Sequence, residues 1–157
     1  MDKSVSVAKY LYEEYNKRFQ NDMDEMRMHK LMYFLQRESL IEKDVFLFNE
    51  HFHGWKFGPV LKSVRSEYIE AKKNGQRPFS RVHDEVSDNA KALVDNILAT
   101  YGDMSSWKLS ALSHCEFSWV LSRKGLNPGE NGDVEMKDEA IRFDSLRERI
   151  RRRKQHG

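Results

Sequence analysis

The chain has 157 residues, of which 39% are hydrophobic and 33% are charged, so it is long enough for one domain with a buried core and a strongly hydrated surface. No apolar run approaches the ~18 residues that a membrane-spanning helix needs. The single cysteine, Cys115, has no partner for a disulfide within the chain. We therefore expect a cytoplasmic protein.

The small net charge of +2 is unevenly distributed along the chain. The segment 147–154 contains six basic residues and one acidic residue, so the remainder of the chain carries a net charge of −3. A mildly acidic body with a basic end is not by itself evidence for nucleic-acid binding. We predict one helical domain at residues 1–150, followed by a basic tail at residues 151–157.

Apolar residues recur every three or four positions in the first third of the chain, which predicts two amphipathic helices. The first covers about residues 5–19, and acidic residues at 22 and 24 suit the start of the second. The second has a wide apolar face, so we expect it at the centre of the fold. Its apolar residues are Met28, Leu31, Met32, Tyr33, Phe34 and Leu35.

Two short aromatic and β-branched runs within residues 45–57 surround a polar segment at 49–51. This pattern predicts a small β-hairpin with its turn at that segment. Gly58 and Pro59 should end the hairpin, and Pro59 suits the first turn of a third helix because it lacks an N–H. That helix should end near Gly75.

Helix signals continue through the second half of the chain. Ser87 is a suitable N-cap for a fourth helix, and Ser105 or Ser106 for a fifth helix that extends to Trp119. The segment 125–132 is rich in turn residues, which predicts a loop. A last helix carries Ile141, Leu146 and Ile150. The predicted fold class is therefore mainly α, a single compact bundle of about six helices with a small β-hairpin.

Three segments, in this order, carry a resemblance to a known family. Residues 27–34 read Arg-Met-His-Lys-Leu-Met-Tyr-Phe, residues 55–60 read Trp-Lys-Phe-Gly-Pro-Val, and residues 109–116 read Leu-Ser-Ala-Leu-Ser-His-Cys-Glu, with tryptophan at 119. They resemble the Panacea domain motifs Lys-Leu-Gln-Lys-Leu-Leu-Tyr-Tyr, Trp-x-Tyr-Gly-Pro-Val and Leu-Ser-x-Leu-Ser/Thr-His-x-Glu-x-Pro-Trp. The matching residues, for which we expect structural roles, are Lys30, Leu31, Tyr33, Phe34, Trp55, Gly58, Pro59, Leu109, Leu112, His114, Glu116 and Trp119.

The resemblance covers roughly residues 5–150 and implies a mostly α fold with little β structure. It also implies that the chain is the antitoxin of a toxin–antitoxin pair, which neutralises its partner by direct contact, or an adaptor that delivers a bound protein to a protease. Members of the family are common in prophages and other mobile elements. The chain departs from the family pattern at Ser118, where proline is usual, and at His29, where glutamine is usual.

His114 and Glu116 are the residues that most suggest catalysis, because a histidine near a carboxylate can perform acid–base chemistry. Positions i and i+2 of a helix point to different sides, so the pair cannot share a small site unless the helix is broken. A buried Glu116 needs a partner, for which Lys30 is a candidate. We predict no catalytic residue, no metal site and no cofactor.

The sequence favours a non-enzymatic protein-binding function. Trp107, in the first turn of its helix, is the best candidate for an exposed aromatic contact with a protein partner. The alternative function is a small nucleic-acid-binding regulator that contacts phosphates through Arg149, Arg151, Arg152, Arg153 and Lys154. The same residues are also typical of a solvated helix end. Neither the identity of the partner nor the oligomeric state follows from the sequence.

Overall fold

The computed structural model describes residues 1–156, which form seven helices and one small β-hairpin. The prediction of a mainly α fold with a hairpin is confirmed, with one helix more than expected. The elements are α1 Ser4–Phe19, α2 Glu25–Lys43, β1 His53–Trp55, β2 Gly58–Val60, α3 Lys62–Asn74, α4 Asp88–Tyr101, α5 Ser106–His114, α6 Phe117–Ser122 and α7 Asp138–His156. Among these elements, none is a helix long and apolar enough to cross a membrane.

Helix α2 lies at the centre of the fold, as its sequence predicts. Every residue from Met28 to Leu40 is buried, and the helix packs against α4, α5, α7 and β2. Asp24 begins the helix by accepting a hydrogen bond from the N–H of Arg27 at 2.8 Å. Because all faces of α2 meet other elements, its polar side chains must find partners within the protein.

The β-hairpin lies later in the chain than the sequence predicts. The run at 45–48 is not a strand, because a glutamine of α2 satisfies its backbone. Gln36 Oε1 accepts a hydrogen bond from the N–H of Leu47 at 2.6 Å, and Gln36 Nε2 donates to the carbonyl of Phe48 at 2.8 Å. Leu47 and Phe48 are therefore buried without a paired strand beside them.

The two observed strands, β1 and β2, are antiparallel and are joined by Lys56 and Phe57. Pro59 lies inside the hairpin opposite Gly54 and does not begin a helix, since α3 starts at Lys62. A proline is accommodated here because β2 pairs on one side only, which makes it an edge strand.

The predicted fifth helix is broken into α5 and α6 at Cys115 and Glu116. The break coincides with a carboxylate from α7. Asp144 accepts hydrogen bonds from the N–H of Phe117 at 2.8 Å and of Ser118 at 3.1 Å, so it satisfies the first free donors of α6. This contact from a distant helix is not visible in the local sequence pattern.

Three predicted helix ends agree with the structure. Ser87 caps α4 by accepting from the N–H of Ala90 at 3.1 Å, and Ser105 caps α5 by accepting from the N–H of Lys108 at 3.0 Å. Gly75 ends α3 in the left-handed conformation.

Helix α7 continues without interruption through the predicted boundary at residue 150 and ends at His156. Of the three apolar residues predicted for it, Ile141 is buried, whereas Leu146 and Ile150 are half exposed. The buried face of α7 packs on α2 and α6. It also carries Asp144 and Glu148, so charged groups take part in this contact.

Candidate protein-binding site

The three motif segments meet at Gly58. Its φ of +128° is unfavourable for any residue with a side chain. A Cβ at this position would lie 3.3 Å from Ser113 Oγ, 3.5 Å from Lys30 Cε and 4.0 Å from His114 Nε2. Glycine therefore allows the hairpin to pack closely against α2 and α5 at one point.

His114 lies flat against Trp119, with ring centroids 4.2 Å apart and an angle of 5° between the planes. Its Nε2 is buried and has no hydrogen-bond partner among the described residues. Burial lowers the pKa of His114; a hydrogen bond to the backbone of Phe57 opposes this shift, and the nearby charges of Lys30 and Arg123 add to it. The net shift favours the neutral ring, which serves as a packing surface for Trp119.

Lys30 is only 3% exposed and lies beside Gly58, not beside Glu116. Burial lowers the pKa of its ammonium group. The contact between Lys30 and Glu116, one of the possibilities that the sequence leaves open, is absent from the ion pairs of residues 1–156, in which Glu116 pairs with Arg37 and Arg147.

The residues that meet at Gly58, namely Lys30, Ser113 and His114, form with it what we call the motif cluster. Two tryptophans connect the motif cluster to the loop before α7. Trp119 Nε1 donates to the carbonyl of Trp55 at 2.8 Å, and Trp55 Nε1 donates to Asp133 Oδ1 at 2.8 Å. The other oxygen of Asp133 accepts from Lys62 Nζ at 2.7 Å. Both tryptophans are half-buried, and their N–H groups fix the hairpin to α6 and to the loop.

Arg123 organises the loop at 125–133 and was not identified from the sequence. It is 7% exposed, and its guanidinium donates to the carbonyls of Gly54 at 3.4 Å, Asn127 at 3.3 Å and Glu130 at 2.6 Å. Because guanidinium groups present several donors in fixed directions, one side chain can hold several loop carbonyls. In the sequence, this role of Arg123 is indicated by its position directly before a glycine-rich loop.

A groove of about 570 Å³ opens between the tip of the hairpin and this loop. Its walls are Trp55, Lys56 and Phe57 on one side and Asn131, Gly132 and Asp133 on the other. Phe57 is 55% exposed, and the ammonium of Lys56 lies 5.2 Å from its ring centre. The groove is therefore rimmed by an exposed aromatic ring and backed by the rigid motif cluster.

A buried ion pair lies on another side of α2. Arg37 donates hydrogen bonds to Glu116 Oε1 and, at 3.0 Å, to the hydroxyl of Tyr101. Glu116 Oε2 has no hydrogen bond and lies 3.7 Å from the guanidinium of Arg147. Burial raises the pKa of Glu116 to about 7, although the charge of Arg37 opposes the shift. The charge of Asp144 adds to the rise.

Asp144 is the second carboxylate of this region, and it is fully satisfied. Besides the two N–H groups of α6, it accepts from the hydroxyl of Tyr33 at 2.5 Å and from Ser118 Oγ at 2.5 Å. Burial, together with the charges of Glu116 and Asp144, raises the pKa of Tyr33 well above its usual value. The tyrosine is therefore a permanent donor that fixes α2 to α7.

His114 and Glu116 do not share a site, even though the helix between them is broken. His114 faces Gly58 and Trp119, whereas Glu116 faces Arg37. The other motif residues make up the interior around them: Leu31, Phe34, Pro59 and Leu109 are buried, and Leu112 is partly buried. Trp107 is 75% exposed.

Similarity to known proteins identifies the family. Residues 28–120 match the model of the antitoxin SocA-like, Panacea domain. The chain belongs to this family. Antitoxin SocA of Caulobacter vibrioides (strain NA1000 / CB15N) is 30% identical over 118 residues, which are 68% of this chain and 62% of that protein. The chain thus spans less than two thirds of this curated relative. No solved structure matches the chain described here.

The two departures from the Panacea motifs both have structural consequences. Ser118 donates its N–H and its hydroxyl to Asp144, and the usual proline could make neither bond. His29 Nδ1 accepts from the N–H of Leu61 at 3.2 Å, and its Nε2 lies 2.9 Å from Glu25. The imidazole thereby connects α2 to the start of α3, which is a connection a glutamine amide can also make.

The basic residues at the end of α7 are partly engaged in internal contacts. Arg149 donates to the carbonyls of Leu40 and Ile41. Arg151 and Arg152 form ion pairs with Glu148, and Arg152 also pairs with Glu38. Within residues 1–156, Arg153 and Lys154 take part in no ion pair. The prediction of a nucleic-acid contact thus rests mainly on these last two residues.

Proposed function

We propose that this chain is an antitoxin that neutralises a cognate toxin by direct protein–protein contact, without catalysis and without a cofactor, in the cytoplasm. The observation that carries the proposal is the groove between the hairpin tip and the 125–133 loop. Membership of an antitoxin family supports it. The name of the curated relative, an antitoxin, supports it as well.

The groove has the properties of a protein-recognition site. Protein contacts are dominated by a few aromatic anchors surrounded by polar groups, and Phe57 presents such an anchor above a concave surface. Lys56, Asn131 and Asp133 supply polar groups at the edge. Because the tryptophans and Arg123 hold both walls, little conformational entropy is lost on binding.

The partner is expected to approach the exposed rim and not the motif cluster. Gly58, His114 and Lys30 are enclosed by the hairpin, so substitutions there act by disturbing the fold. Phe57 and the loop lie at the surface, where sequence can vary with the partner while the scaffold stays constant. Trp107, which is 75% exposed, is a further aromatic residue to which a partner could bind.

The test is growth rescue and titration calorimetry with each toxic protein encoded beside this chain. We expect wild-type chain to rescue growth and to bind with or without chelator. Phe57→Ser should weaken binding by at least about tenfold, since a central aromatic anchor typically contributes more than ~1.4 kcal/mol. Val45→Ser, at another half-exposed apolar residue, is the matched control and should bind as wild type.

These experiments test separately whether the chain neutralises a toxin and whether the groove is the surface that binds it. Rescue that is abolished by Trp107→Ser but kept with Phe57→Ser would support the antitoxin and reject the groove as its contact surface. If no neighbouring toxic protein is bound or neutralised, the proposed function is wrong. If His114→Ala folds and binds but no longer rescues growth, neutralisation requires more than contact, and a catalytic role for the histidine replaces this proposal.

A further inference from the structure

Helix α7 has an apolar stripe that remains about half exposed. Phe143, Leu146 and Ile150 are 47%, 50% and 44% exposed, while Ile141 on the opposite side is buried. Their spacing of three and four residues places them on one face of the helix. Three large apolar side chains in one exposed row are unusual on a protein that has no partner there.

The stripe is widened by the neighbouring helix. Phe117 of α6 packs against Phe143, with ring centroids 5.0 Å apart, and remains 38% exposed. Val120, one turn further along α6, is 49% exposed. The apolar surface therefore extends over two helices, and α7 itself lies beyond the residues that match the family model.

Opposite charges stand at the two ends of the stripe. Glu139 lies seven residues before Leu146, and Arg153 lies seven residues after it. Both are exposed, and neither takes part in an ion pair within residues 1–156. Together with the apolar residues they form one continuous row, which we call the α7 seam: Glu139, Phe143, Leu146, Ile150 and Arg153. The spacing of four, three, four and three residues is that of a coiled-coil seam.

The charges and apolar residues of the α7 seam are complementary to those of a second α7 seam that runs in the opposite direction. If a second α7 lies antiparallel against it, with a two-fold axis at Leu146, each Glu139 meets Arg153 of the second copy. Phe143 then packs near Ile150 of that copy, and the two Leu146 side chains meet at the axis. A parallel arrangement would place like charges together at both ends, which is unfavourable.

Two of the arginines beside the seam are held away from it. Arg142 is bound to Asp44 at 2.9 Å, and Arg149 donates to the carbonyls of Leu40 and Ile41, so both charged groups are directed towards the end of α2. Arg147, next to Leu146, donates to the carbonyl of Cys115 at 2.9 Å, and its guanidinium lies 5.8 Å from the ring centre of Phe143. Nucleic acid or an acidic peptide would match the basic end of the seam but not Glu139.

We propose that two copies of this chain associate through the α7 seam as an antiparallel, two-fold symmetric dimer. Such an interface is isologous, because the same residues are used on both subunits. It uses helices α6 and α7 and leaves the groove beside Phe57 outside the contact. The dimer does not depend on the antitoxin function, and it can be tested with the purified chain alone.

The first experiment measures the molar mass by light scattering and sedimentation equilibrium over a range of protein concentrations. Wild type should approach twice 18.6 kDa as the concentration rises. Leu146→Asp should raise the dimer dissociation constant more than about a hundredfold, because two carboxylates then meet at the axis. Ile69→Asp, at a residue of α3 that is 48% exposed, is the matched control and should remain dimeric.

The second experiment exchanges the charges at the ends. Glu139→Arg and Arg153→Glu should each weaken the dimer, and the double variant Glu139→Arg/Arg153→Glu should restore it. Mixing the two single variants should give a heterodimer, since one is basic at both ends and the other is acidic. A monomer at every concentration, a dimer that survives Leu146→Asp, or a double variant weaker than both single variants would overturn the proposal. Thermal melting confirms that each variant folds.

Discussion

At the scale of single residues, two buried carboxylates differ in the number of hydrogen bonds they accept: Glu116, between α5 and α6, and Asp144 of α7. Asp144 accepts four hydrogen bonds from Tyr33, Phe117 and Ser118. Glu116 accepts one from Arg37, and its second oxygen has none. A carboxylate that is buried with one oxygen lacking a hydrogen bond loses its hydration without compensation, which disfavours its charged form. Burial is accordingly the main cause of the raised pKa of Glu116.

Removal of the Glu116 side chain should destabilise the fold. Glu116→Ala leaves Arg37, which is 5% exposed, without its ionic partner, and an unpaired buried charge costs ~3 kcal/mol or more. Glu116→Gln keeps an acceptor for the guanidinium and should be markedly less destabilising. Urea unfolding of both variants gives the two free energies. Equal stability of Glu116→Ala and wild type would mean that the pair does not stabilise the fold.

The pH dependence of stability follows from the same residue. Its folded-state pKa of about 7 lies above the ordinary value of 4.5, so the folded state binds the proton more tightly than the unfolded chain. The resulting stabilisation is complete below about pH 4.5 and disappears as the pH rises through about 7. Unfolding free energy should therefore decrease between these values in wild type, and decrease less in Glu116→Gln.

The pKa of Glu148 is shifted in the opposite direction, so Glu148 affects stability in a different pH range. Burial alone would raise its pKa, but hydrogen bonds from Arg151 and Arg152 and the charge of Arg37 hold it at about 2. Its contribution to stability is present above about pH 4.5 and disappears only as the pH falls towards 2. It is therefore constant in the range where Glu116 titrates. A slope unchanged by Glu116→Gln would assign the pH dependence to another group.

At the scale of elements, the hairpin is held against α6 by a glycine that the sequence motifs do not include. The N–H of Gly54 donates to the carbonyl of Val134 at 2.9 Å. A Cβ at Gly54 would lie 1.8 Å from Ser122 Oγ and 2.7 Å from Ser122 Cβ. No rotation of the serine removes the second overlap, so the hairpin and α6 would have to separate.

Gly54→Ala should consequently lower the unfolding free energy by ~2 kcal/mol, the usual cost of forcing an extra group into a packed contact. Ser122→Gly in the same chain removes both clashing atoms and should recover part of the loss, because glycine costs ~1 kcal/mol in a helix. Gly129→Ala is the matched control, since its Cβ would have no neighbour within 4 Å. No recovery in the double variant would show that the clash is not the cause.

Elements whose ends are set by local chemistry are predictable from the sequence. Ser87 and Ser105 cap the helices predicted for them, and Gly75 ends α3. The hairpin lies later than predicted because Gln36, distant in sequence, occupies the backbone of residues 45–48. Helix α5 ends early because Asp144 begins a new helix. Side-chain contacts over long sequence separations leave no local pattern.

The same distinction applies to the candidate site. The motif residues are found by resemblance, and the close packing at Gly58 follows from its missing side chain. Arg123 holds the loop of the groove, and Arg37 and Asp144 hold the interior behind α2 and α6, yet each of the three looks like an ordinary surface residue in the sequence. Charged residues are usually exposed, so burial of these three depends on partners that only the fold brings together.

At the scale of the whole molecule, α7 connects the end of the chain to its centre. Arg152 donates to both oxygens of Glu38 on α2, at 2.9 and 2.8 Å, and to Glu148 at 2.9 Å. Glu38 and Glu148 are 4% and 8% exposed. The segment predicted to be a separate basic tail therefore supplies a counter-charge to the core, while Arg153 and Lys154 remain available for other contacts.

Deletion of residues 151–157 should for this reason destabilise the fold. It removes the ionic partner of Glu38 and both close partners of Glu148, leaving two largely buried carboxylates. Because the Arg152 side chain is itself about one third exposed, we expect a decrease of ~2 kcal/mol in the unfolding free energy, which is less than for a fully buried pair. Urea unfolding of the truncated chain measures this free energy, and its melting temperature should fall accordingly.

The matched control for the deletion is Arg153→Gln/Lys154→Gln, which removes charges that form no ion pair in the described chain. At protein concentrations low enough to keep the chain monomeric, its melting temperature should equal that of wild type, whereas in the dimer Arg153 also belongs to the α7 seam. The control also gives the proper test of nucleic-acid binding, since it changes charge without disturbing Glu38. The chain can bind duplex DNA through these residues only if the double variant has a weaker salt dependence. The slope of log affinity against log salt concentration should then decrease in magnitude by ~0.9 for every phosphate that the protein no longer neutralises. A truncated chain as stable as wild type would show that Arg152 is dispensable to the core.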